Sequence, residues 1–268
     1  KNTIFFIIKR LDMSITVLMY HHVLPKSGFI ASSLNEFESQ MRFLSQNGYK
    51  TLSSDEFLKF KKGELKLPKK SIFITFDDGW RDNYYYAYPI LKKYGLNATL
   101  FLVTSWIEKA SEQNALRKAE FRPLSHKEAK QKIISDTAGL FLNWDEVEKM
   151  KDVFDFHSHT NGHDDAYFGN LRFEDDIFAC KKIIKDRLGF DDAHLCWPRG
   201  QYDKSRLQAA KEIGYEIFYT TKRGINKPDN NLKYIKRVAV KKDDKWLKKT
   251  LFIYQNDILG SFYSALKN

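Results

Sequence analysis

The sequence predicts a single-domain α/β protein in which parallel strands close into a barrel. Three observations lead to this class. Apolar strand-like runs alternate with helical patterns along most of the chain. One of these runs, residues 72–76, ends in two adjacent carboxylates, and a chain of 268 residues has room for one large α/β domain. Alternating strands and helices form parallel βαβ units, and closure into a barrel buries many strands together.

The predicted elements follow one another in regular order. They are strand 15–20, helices 34–47 and 52–60, strand 72–76, helix 84–94, strand 98–103, a helix from Trp144, strand 153–156, helix 173–188, strand 193–197, helix 205–213 and strand 217–220. In the first helix, Phe37, Met41 and Leu44 have helical spacing, and Gly48 follows as a stop signal. The second helix carries the capping pair Ser53 and Ser54 near its start.

One polar and charged segment, residues 106–142, interrupts this alternation. Its parts 115–118 and 126–134 have helical patterns. Two interpretations are open: a solvated excursion, or a cap over the barrel mouth that shapes the binding site, because loops at that face carry specificity. Residues 1–13 are uninformative about the fold. The predicted domain is therefore 14–268, with an insertion at about 106–142.

Two clusters of polar residues form the candidate site. Asp77 and Asp78 directly follow the buried strand 72–76, and an unpaired carboxylate is costly away from water or a metal. About eighty residues later, His159 and His163 stand four apart, a spacing typical of transition-metal ligands. A strand followed by a polar turn is the alternative for the Asp pair alone. Together the clusters predict a three-ligand, open metal site with a spare carboxylate as base.

Short motifs around these residues resemble those of the polysaccharide deacetylases (carbohydrate esterase family 4, the NodB-homology domain). Residues 75–79, Thr-Phe-Asp-Asp-Gly, match the first motif of that family, and residues 158–163 match the second. Residues 143–147 resemble the helix that precedes the second motif, and residues 197–203 resemble a variant of the third. The resemblance spans residues 14–240. Residues 18–23 place it nearest the poly-N-acetylglucosamine and lipopolysaccharide-sugar deacetylases.

The resemblance implies a fold, an activity and a cofactor. The fold is a distorted, NodB-like (β/α) barrel of about seven parallel strands. The activity is hydrolysis of the N-acetyl group of an N-acetylated amino sugar, in a cell-envelope glycan or its lipid- or nucleotide-linked precursor. One divalent metal, zinc first, with cobalt, nickel, manganese or iron as alternatives, is expected on Asp78, His159 and His163. Asp77 is then the general base.

The resemblance also implies roles for residues in the third motif. The backbone N–H of Arg199 is expected to stabilise the oxyanion, and Trp197 and Tyr202 to form an apolar wall for the sugar or the acetyl methyl group. The alternative for these two aromatic residues is a place in the core. The third motif commonly carries an Arg that steadies the base, but Cys196 stands there.

The fifth motif of the family supplies a His as general acid, and residues 234–240 contain none. His21, or its neighbour His22, is the nearest replacement, since both follow the first strand and so are expected on the same barrel face. We favour His21. His157 is a weaker candidate because it points the same way as His159 if the strand persists.

Two other functions remain open. One is a glycan-binding, deacetylase-like domain that has lost its acid. The intact Asp77, Asp78, His159 and His163 argue against this, since four costly polar groups have no reason to stay together in a dead site. The other is a metal phosphoesterase, which would need a second metal and further carboxylates.

Composition bears on partners and location. The formal net charge is +11, which fits either solvated helix faces or attraction to an anionic membrane or diphosphate-linked glycan carrier. No nucleic-acid recognition module is visible, so nucleic acid is not an expected partner. Cys180 and Cys196 make no disulfide framework. We expect an N-acetylhexosamine glycan or glycolipid as substrate and a cytoplasmic, membrane-peripheral location. Export is left open because a signal sequence could precede residue 1.

Overall fold

The structure is a computed structural model that describes residues 14–165, 167–169 and 171–267. Its strands are β1 (Thr16–Tyr20), β2 (His22–Leu24), β3 (Ala31–Ser33), β4 (Lys50–Thr51), β5 (Ser71–Phe76), β6 (Ala98–Leu102), β7 (Phe154–Ser158), β8 (His194–Cys196), β9 (Ile217–Tyr219) and β10 (Val238–Ala239). Its α-helices are α1 (Leu34–Gln46), α2 (Ser54–Lys62), α3 (Tyr88–Lys93), α4 (Thr104–Leu116), α5 (His126–Lys132), α6 (Thr137–Leu140), α7 (Trp144–Lys149), α8 (Phe173–Leu188), α9 (Lys204–Glu212), α10 (Asp244–Tyr254) and α11 (Asp257–Lys267).

The main sheet forms the predicted barrel of parallel strands. Its strand order is β10-β1-β5-β6-β7-β8-β9, with β4 also beside β5, and every pair is parallel. At the seam, Ile235 bridges to Tyr219 of β9, and Val238 pairs with Leu18 of β1. The segment before β10 therefore links the two edges. The fold class and the seven-strand path are confirmed.

Local sequence signals explain where the first helices begin and end. The N-cap Ser33 of α1 and Glu36 form a reciprocal capping box, and Ser53 and Glu56 form another at α2. The predicted helix 52–60 started too early. The backbone N–H of Leu52 donates to the carbonyl oxygen of Ile72 in β5, so Leu52 is not part of the helix. The helix ends at Gly63, whose φ of 78° is left-handed.

The helix predicted at 84–94 has two parts. Residues Asn83–Ala87 form a π-helical turn, and α3 continues from Tyr88. Pro89 stands in the first turn of α3 and has no N–H to donate back to the preceding turn. The wider π turn before Pro89 does not require the hydrogen bond that proline cannot donate. Such π turns are frequent near functional sites. This one begins five residues after Asp78.

The predicted insertion begins with a barrel helix. Trp106, Ile107 and Ala110 of α4 are buried in the core, so the departure from the barrel starts after Leu116, where α4 ends. Of the predicted helical part 115–118, only residues 115 and 116 are helical, as the end of α4, and Arg117 is extended. The remainder, residues 117–142, contains the short helices α5 and α6. It lies against the barrel mouth, since His126 of α5 is within 3.2 Å of His22.

The apolar core has two main layers. Aromatic and aliphatic side chains fill the barrel interior, among them Phe73, Phe101 and Tyr219, and a larger cluster lies between the sheet and the surrounding helices. Because both sheet faces are covered, β1, β5 and β6 are buried along their whole length. This packing holds the carboxyl ends of the strands in fixed positions. None of the described helices has the length and apolar character needed to cross a membrane.

Candidate active site

The polar residues singled out in the sequence meet at the carboxyl ends of the strands. Asp77 and Asp78 follow β5, and His159 follows β7. Asp78, Thr160 and His163 have φ values of 77°, 65° and 58°, in the left-handed region that non-glycine residues rarely adopt. Such strained positions are typical of sites whose surroundings over-determine the backbone.

One carboxylate oxygen and two imidazole nitrogens of these side chains lie close together. Asp78 Oδ1 lies 3.3 Å from His159 Nε2 and 3.5 Å from His163 Nε2. Metal–ligand bonds of about 2.0–2.2 Å in a tetrahedron set ligand atoms about 3.3–3.6 Å apart. Asp78 Oδ1 is also buried without a hydrogen-bond partner among the described residues. An orphaned carboxylate oxygen between two imidazole nitrogens fits a divalent cation.

The Nδ1 atoms of the His159 and His163 rings have hydrogen-bond partners of their own. His159 Nδ1 donates to the carbonyl oxygen of Cys196 at 2.8 Å, and His163 Nδ1 lies 3.0 Å from Asp165 Oδ2. A carbonyl only accepts, so His159 carries a proton on Nδ1, and its neutral form presents a lone pair at Nε2. These outer contacts fix the ring orientation and the tautomer that metal binding requires. The residues present therefore fit a divalent metal, as the resemblance implied.

Electrostatics favour the ionised form of the Asp ligand. Burial alone would raise the pKa of the Asp78 carboxyl, but His159 and His163 outweigh it and hold that pKa well below its usual range. Trp80 Nε1 donates to the second oxygen, Oδ2, at 2.8 Å. A carboxylate kept charged, with one oxygen oriented and the other free, is a suitable ligand for a cation.

The neighbouring carboxylate, Asp77, is paired with an arginine that the sequence analysis did not identify. Arg237 Nη1 and Nη2 donate to Asp77 Oδ1 and Oδ2 at 2.7 and 2.8 Å, and both side chains are almost fully buried. Burial raises the pKa of Asp77, but Arg237, with further contributions from His159 and His21, more than offsets this and lowers that pKa. Asp77 is therefore ionised and able to accept a proton. Cys196, where the resemblance predicted an Arg, lies 3.1 Å from Arg237 Nη2.

The two adjacent histidines after β1 have different environments. His21 Nε2 lies 3.8 Å from Asp77 Oδ2, and its side chain is 18 % exposed. Burial lowers the pKa of His21. His22 instead is buried, with Nδ1 2.7 Å from Asp82 and Nε2 3.2 Å from His126. The ring of His21 thus lies beside the predicted base, while that of His22 is fixed between Asp82 and the insertion.

The third-motif residues lie near the site, but not all in the predicted way. Trp197 is only 1 % exposed, and its ring stacks between Tyr202 and Phe218 at centroid distances of 5.0 and 5.5 Å. These rings cover its faces, so Trp197 belongs to the core, the alternative to a place in the apolar wall. Tyr202 is partly exposed and remains a candidate wall residue.

The guanidinium of Arg199 takes part in the outer contacts of the site. Its Nη2 donates to Asp165 Oδ1 at 2.8 Å, so Arg199 and His163 share that carboxylate. The backbone of Arg199 has a φ of 55° inside a tight turn, Pro198–Gly200. The role of its N–H toward an oxyanion stays a prediction.

The remaining histidine candidate, His157, can also be compared with the structure. His157 does not join the site: its Nδ1 lies 2.7 Å from Asp192, and its ring stacks on His194 at 4.1 Å.

The sequence analysis missed both Asp165 and Arg237. A possible signal for Arg237 was an arginine within the apolar run 235–240; for Asp165 it was a carboxylate two residues after a metal-ligand candidate.

Comparison with known proteins supports the same assignment of family. A family model described as polysaccharide deacetylase matches residues 64–218. The poly-beta-1,6-N-acetyl-D-glucosamine N-deacetylase of Staphylococcus epidermidis is 29% identical over 217 residues, which are 78% of this chain and 67% of that protein. The enzyme of the same name from Staphylococcus aureus (strain MSSA476) is 28% identical over 211 residues, 79% of this chain and 68% of that protein.

Solved structures of similar fold agree with the barrel. The Streptococcus pyogenes deacetylase PplD, in complex with acetate, superposes with a TM-score of 0.73 at 24% identity, covering 89% of this chain and 98% of that one. IcaB from Ammonifex degensii gives a TM-score of 0.69 at 22% identity, covering 90% and 97%. These likenesses extend the family's fold over nearly the whole chain.

Proposed function

Because this chain belongs to the polysaccharide deacetylase family, we propose that it is a metal-dependent hydrolase that removes the N-acetyl group from an N-acetylated amino sugar of a cell-envelope glycan. The observation that carries the proposal is the pairing of two adjacent carboxylates with different environments. Asp78 faces His159 and His163, and Asp77 is held by Arg237. One carboxylate is suited to ligation and the other to proton transfer.

Asp78, His159 and His163 would hold the cation. When bound, a divalent metal supplies Lewis acidity toward the acetyl carbonyl and lowers the pKa of a bound water. Asp165 and the Cys196 carbonyl keep the two imidazoles in ligating orientation. The cofactor proposal is one divalent ion, with zinc favoured, because three protein ligands with N and O donors and one open position are typical of catalytic zinc.

Two proton transfers complete the reaction. Water adds to the acetyl carbonyl carbon and gives a proton to Asp77, whose carboxylate Arg237 keeps ionised and oriented. The C–N bond then breaks, with the electron pair going to nitrogen, and the amine takes a proton. His21 is placed to give that proton, since its Nε2 lies beside Asp77. The products are acetate and a free amino sugar.

The substrate class follows from the relatives and remains a proposal for this chain. Two relatives are named for action on poly-beta-1,6-N-acetyl-D-glucosamine, so an N-acetylhexosamine in a polymer is one candidate. A lipid- or nucleotide-linked N-acetylhexosamine is the other, and the net charge of +11 supports an anionic diphosphate carrier.

Acetate release tests both the activity and the choice of substrate. The zinc-loaded protein is incubated with a β-1,6-linked N-acetylglucosamine oligomer and, separately, with a polyprenyl-diphosphate-linked N-acetylhexosamine. Acetate and free amine should appear in equal amounts, stop on chelation and return on adding zinc. Sugar binding without acetate would indicate a non-enzymatic glycan-binding domain. Release of phosphate instead would indicate a phosphoesterase. Either result would contradict the proposal.

A further inference from the structure

The last helix, α11, has an unusual distribution of side chains. Ile258, Phe262 and Leu266 recur every fourth residue, so they form one stripe along the helix. They are 71%, 67% and 66% exposed, and Leu259 beside them is 40% exposed. Of the thirteen large apolar side chains exposed among the described residues, five lie within residues 252–266. One stretch of fifteen residues, at the corner where α10 meets α11, thus carries more than a third of these side chains.

The opposite face of α11 is fixed to the protein by small residues. Gly260 and Ser264 are buried, and a Cβ at Gly260 would overlap Ile225 Cγ2 and lie 3.2 Å from the carbonyl oxygen of Ile253. The helix therefore cannot rotate to bury its large residues without moving bulkier side chains into this close contact. Its small residues face the protein and its large apolar residues face outward by construction of the fold.

The helix that precedes this face carries exposed lysines. Residues 258–266 contain no charged side chain, whereas Lys245, Lys248 and Lys249 of the preceding helix α10 are exposed. Phe252, which is 72% exposed, lies three and four residues after two of these lysines and so shares their side of α10. Exposed apolar side chains beside lysines are the pattern of a surface that rests on anionic lipid.

The beginning of the described chain meets the same corner. Ser14 donates its hydroxyl to the carbonyl oxygen of Tyr254, the last residue of α10. The sequence that precedes Ser14 contains an apolar run, residues 3–8, followed by Lys9 and Arg10. In sequence, an apolar and basic stretch thus precedes the residue that contacts the end of α10.

We propose that the exposed face of α11, comprising Ile258, Leu259, Phe262 and Leu266, docks the protein on the surface of an anionic lipid bilayer. The face is too small for a stable dimer, which buries about 20–30 residues on each side. Four large apolar side chains suffice for shallow insertion at the headgroup boundary, with the lysines of α10 adding electrostatic attraction. This inference goes beyond the deacetylase activity and does not depend on it.

Vesicle co-sedimentation with a matched pair of variants tests the proposal. The full chain is mixed with vesicles of phosphatidylglycerol and phosphatidylcholine, or of phosphatidylcholine alone. The triple variant I258S/F262S/L266S should bind the anionic vesicles at least about tenfold less tightly than the natural sequence. The control L116S/I134S/F178S removes three exposed apolar side chains elsewhere and should bind as the natural sequence does. Acetate release from a soluble oligomer should be equal in all three, which shows that the variants fold.

Three results would overturn the proposal. The natural sequence could fail to bind anionic vesicles. It could sediment as a dimer that the α11 variant abolishes, which would identify a second copy as the occupant. Finally, removal of residues 1–12 could abolish binding while the α11 variant still binds, which would assign attachment to the N-terminal run.

Discussion

Arg237 and Asp77 form a buried, two-pronged ion pair at 2.7 and 2.8 Å. Arg237 also donates to the Thr220 carbonyl, the Thr75 hydroxyl and the Cys196 sulfur, so all five guanidinium N–H groups have acceptors. The predicted base is therefore fixed in position and kept charged by a residue about 160 positions away in sequence. The small side chain at Cys196 leaves the space that this guanidinium occupies.

Removal of this guanidinium should damage both stability and catalysis. In Arg237→Ala the Asp77 carboxylate stays buried without its partner, and we expect the free energy of unfolding to fall by about 3–5 kcal/mol. Arg237→Lys keeps the charge but not the two-pronged geometry, so its turnover should stay well below normal. The surface pair of Arg187 with Glu108 provides the control: Arg187→Ala should cost at most about 1 kcal/mol. Denaturant unfolding and acetate release measure these effects, and a fully active, stable Arg237→Ala would contradict the role of the pair.

The second prediction concerns the carboxylate behind His163. Asp165 accepts from His163 Nδ1, and outer-sphere partners of this kind are worth about 10–100-fold in metal affinity. Asp165→Ala should therefore weaken zinc binding by that factor. Asp164→Ala is the matched control, because Asp164 pairs with Arg206 on the surface instead. Competition with a chelating dye measures both affinities, and equal values for the two variants would argue against this role of Asp165.

The third prediction separates His21 from His22. If His21 protonates the leaving amine, it must carry a proton, so activity falls as pH rises through its pKa, which burial lowers. His21→Ala should lose most of its turnover and this alkaline limb of the profile, while its metal content is unchanged. His22→Ala should mainly lower the melting temperature, since it leaves Asp82 without its imidazole partner. An alkaline limb that persists in His21→Ala would show that another group is the acid.

The fourth prediction concerns the effect of low pH on stability, through His126 in the insertion. Burial, with a further contribution from His22, lowers the pKa of His126 from 6.5 to about 4. Between those values the unfolded chain binds a proton at His126 and the folded chain does not, so stability falls as pH drops from about 6.5 to about 4. His126→Gln should flatten this part of the curve of stability against pH, which denaturant unfolding at several pH values can measure. An unchanged slope in the variant would exclude His126 as a source of acid sensitivity.

Local patterns were sufficient to predict most of the fold. The alternation of apolar runs with capped helices gave the parallel barrel, since capping residues such as Ser33 and Ser53 act within one turn. The end of a buried strand in Asp77-Asp78 located the site, because carboxyl ends of parallel strands share one face. The errors concerned the boundaries of individual helices. The start of α2 and the extent of α4 depend on contacts with β5 and with the core, which periodicity does not reveal.

The candidate site was predictable to the degree that its residues lie in short motifs. Asp78, His159 and His163 converge as expected. Arg237 was not predictable from spacing, because its contact with Asp77 requires the chain to return across the barrel seam after β9. Burial of Trp197 was one of two open alternatives, and the choice between them depends on stacking with Tyr202 and Phe218. The native metal, the sugar and the cytoplasmic location stay predictions.

The most direct test of the central claim compares Asp77→Asn with the natural sequence at equal metal content. Asp77 is proposed as the base and Asp78 as the ligand, so the variant should bind one zinc per chain as the natural protein does. Its rate of acetate release should fall by roughly two to four orders of magnitude. Turnover like that of the natural protein would remove Asp77 from the mechanism. Loss of zinc in the variant would contradict the division of labour between the two carboxylates.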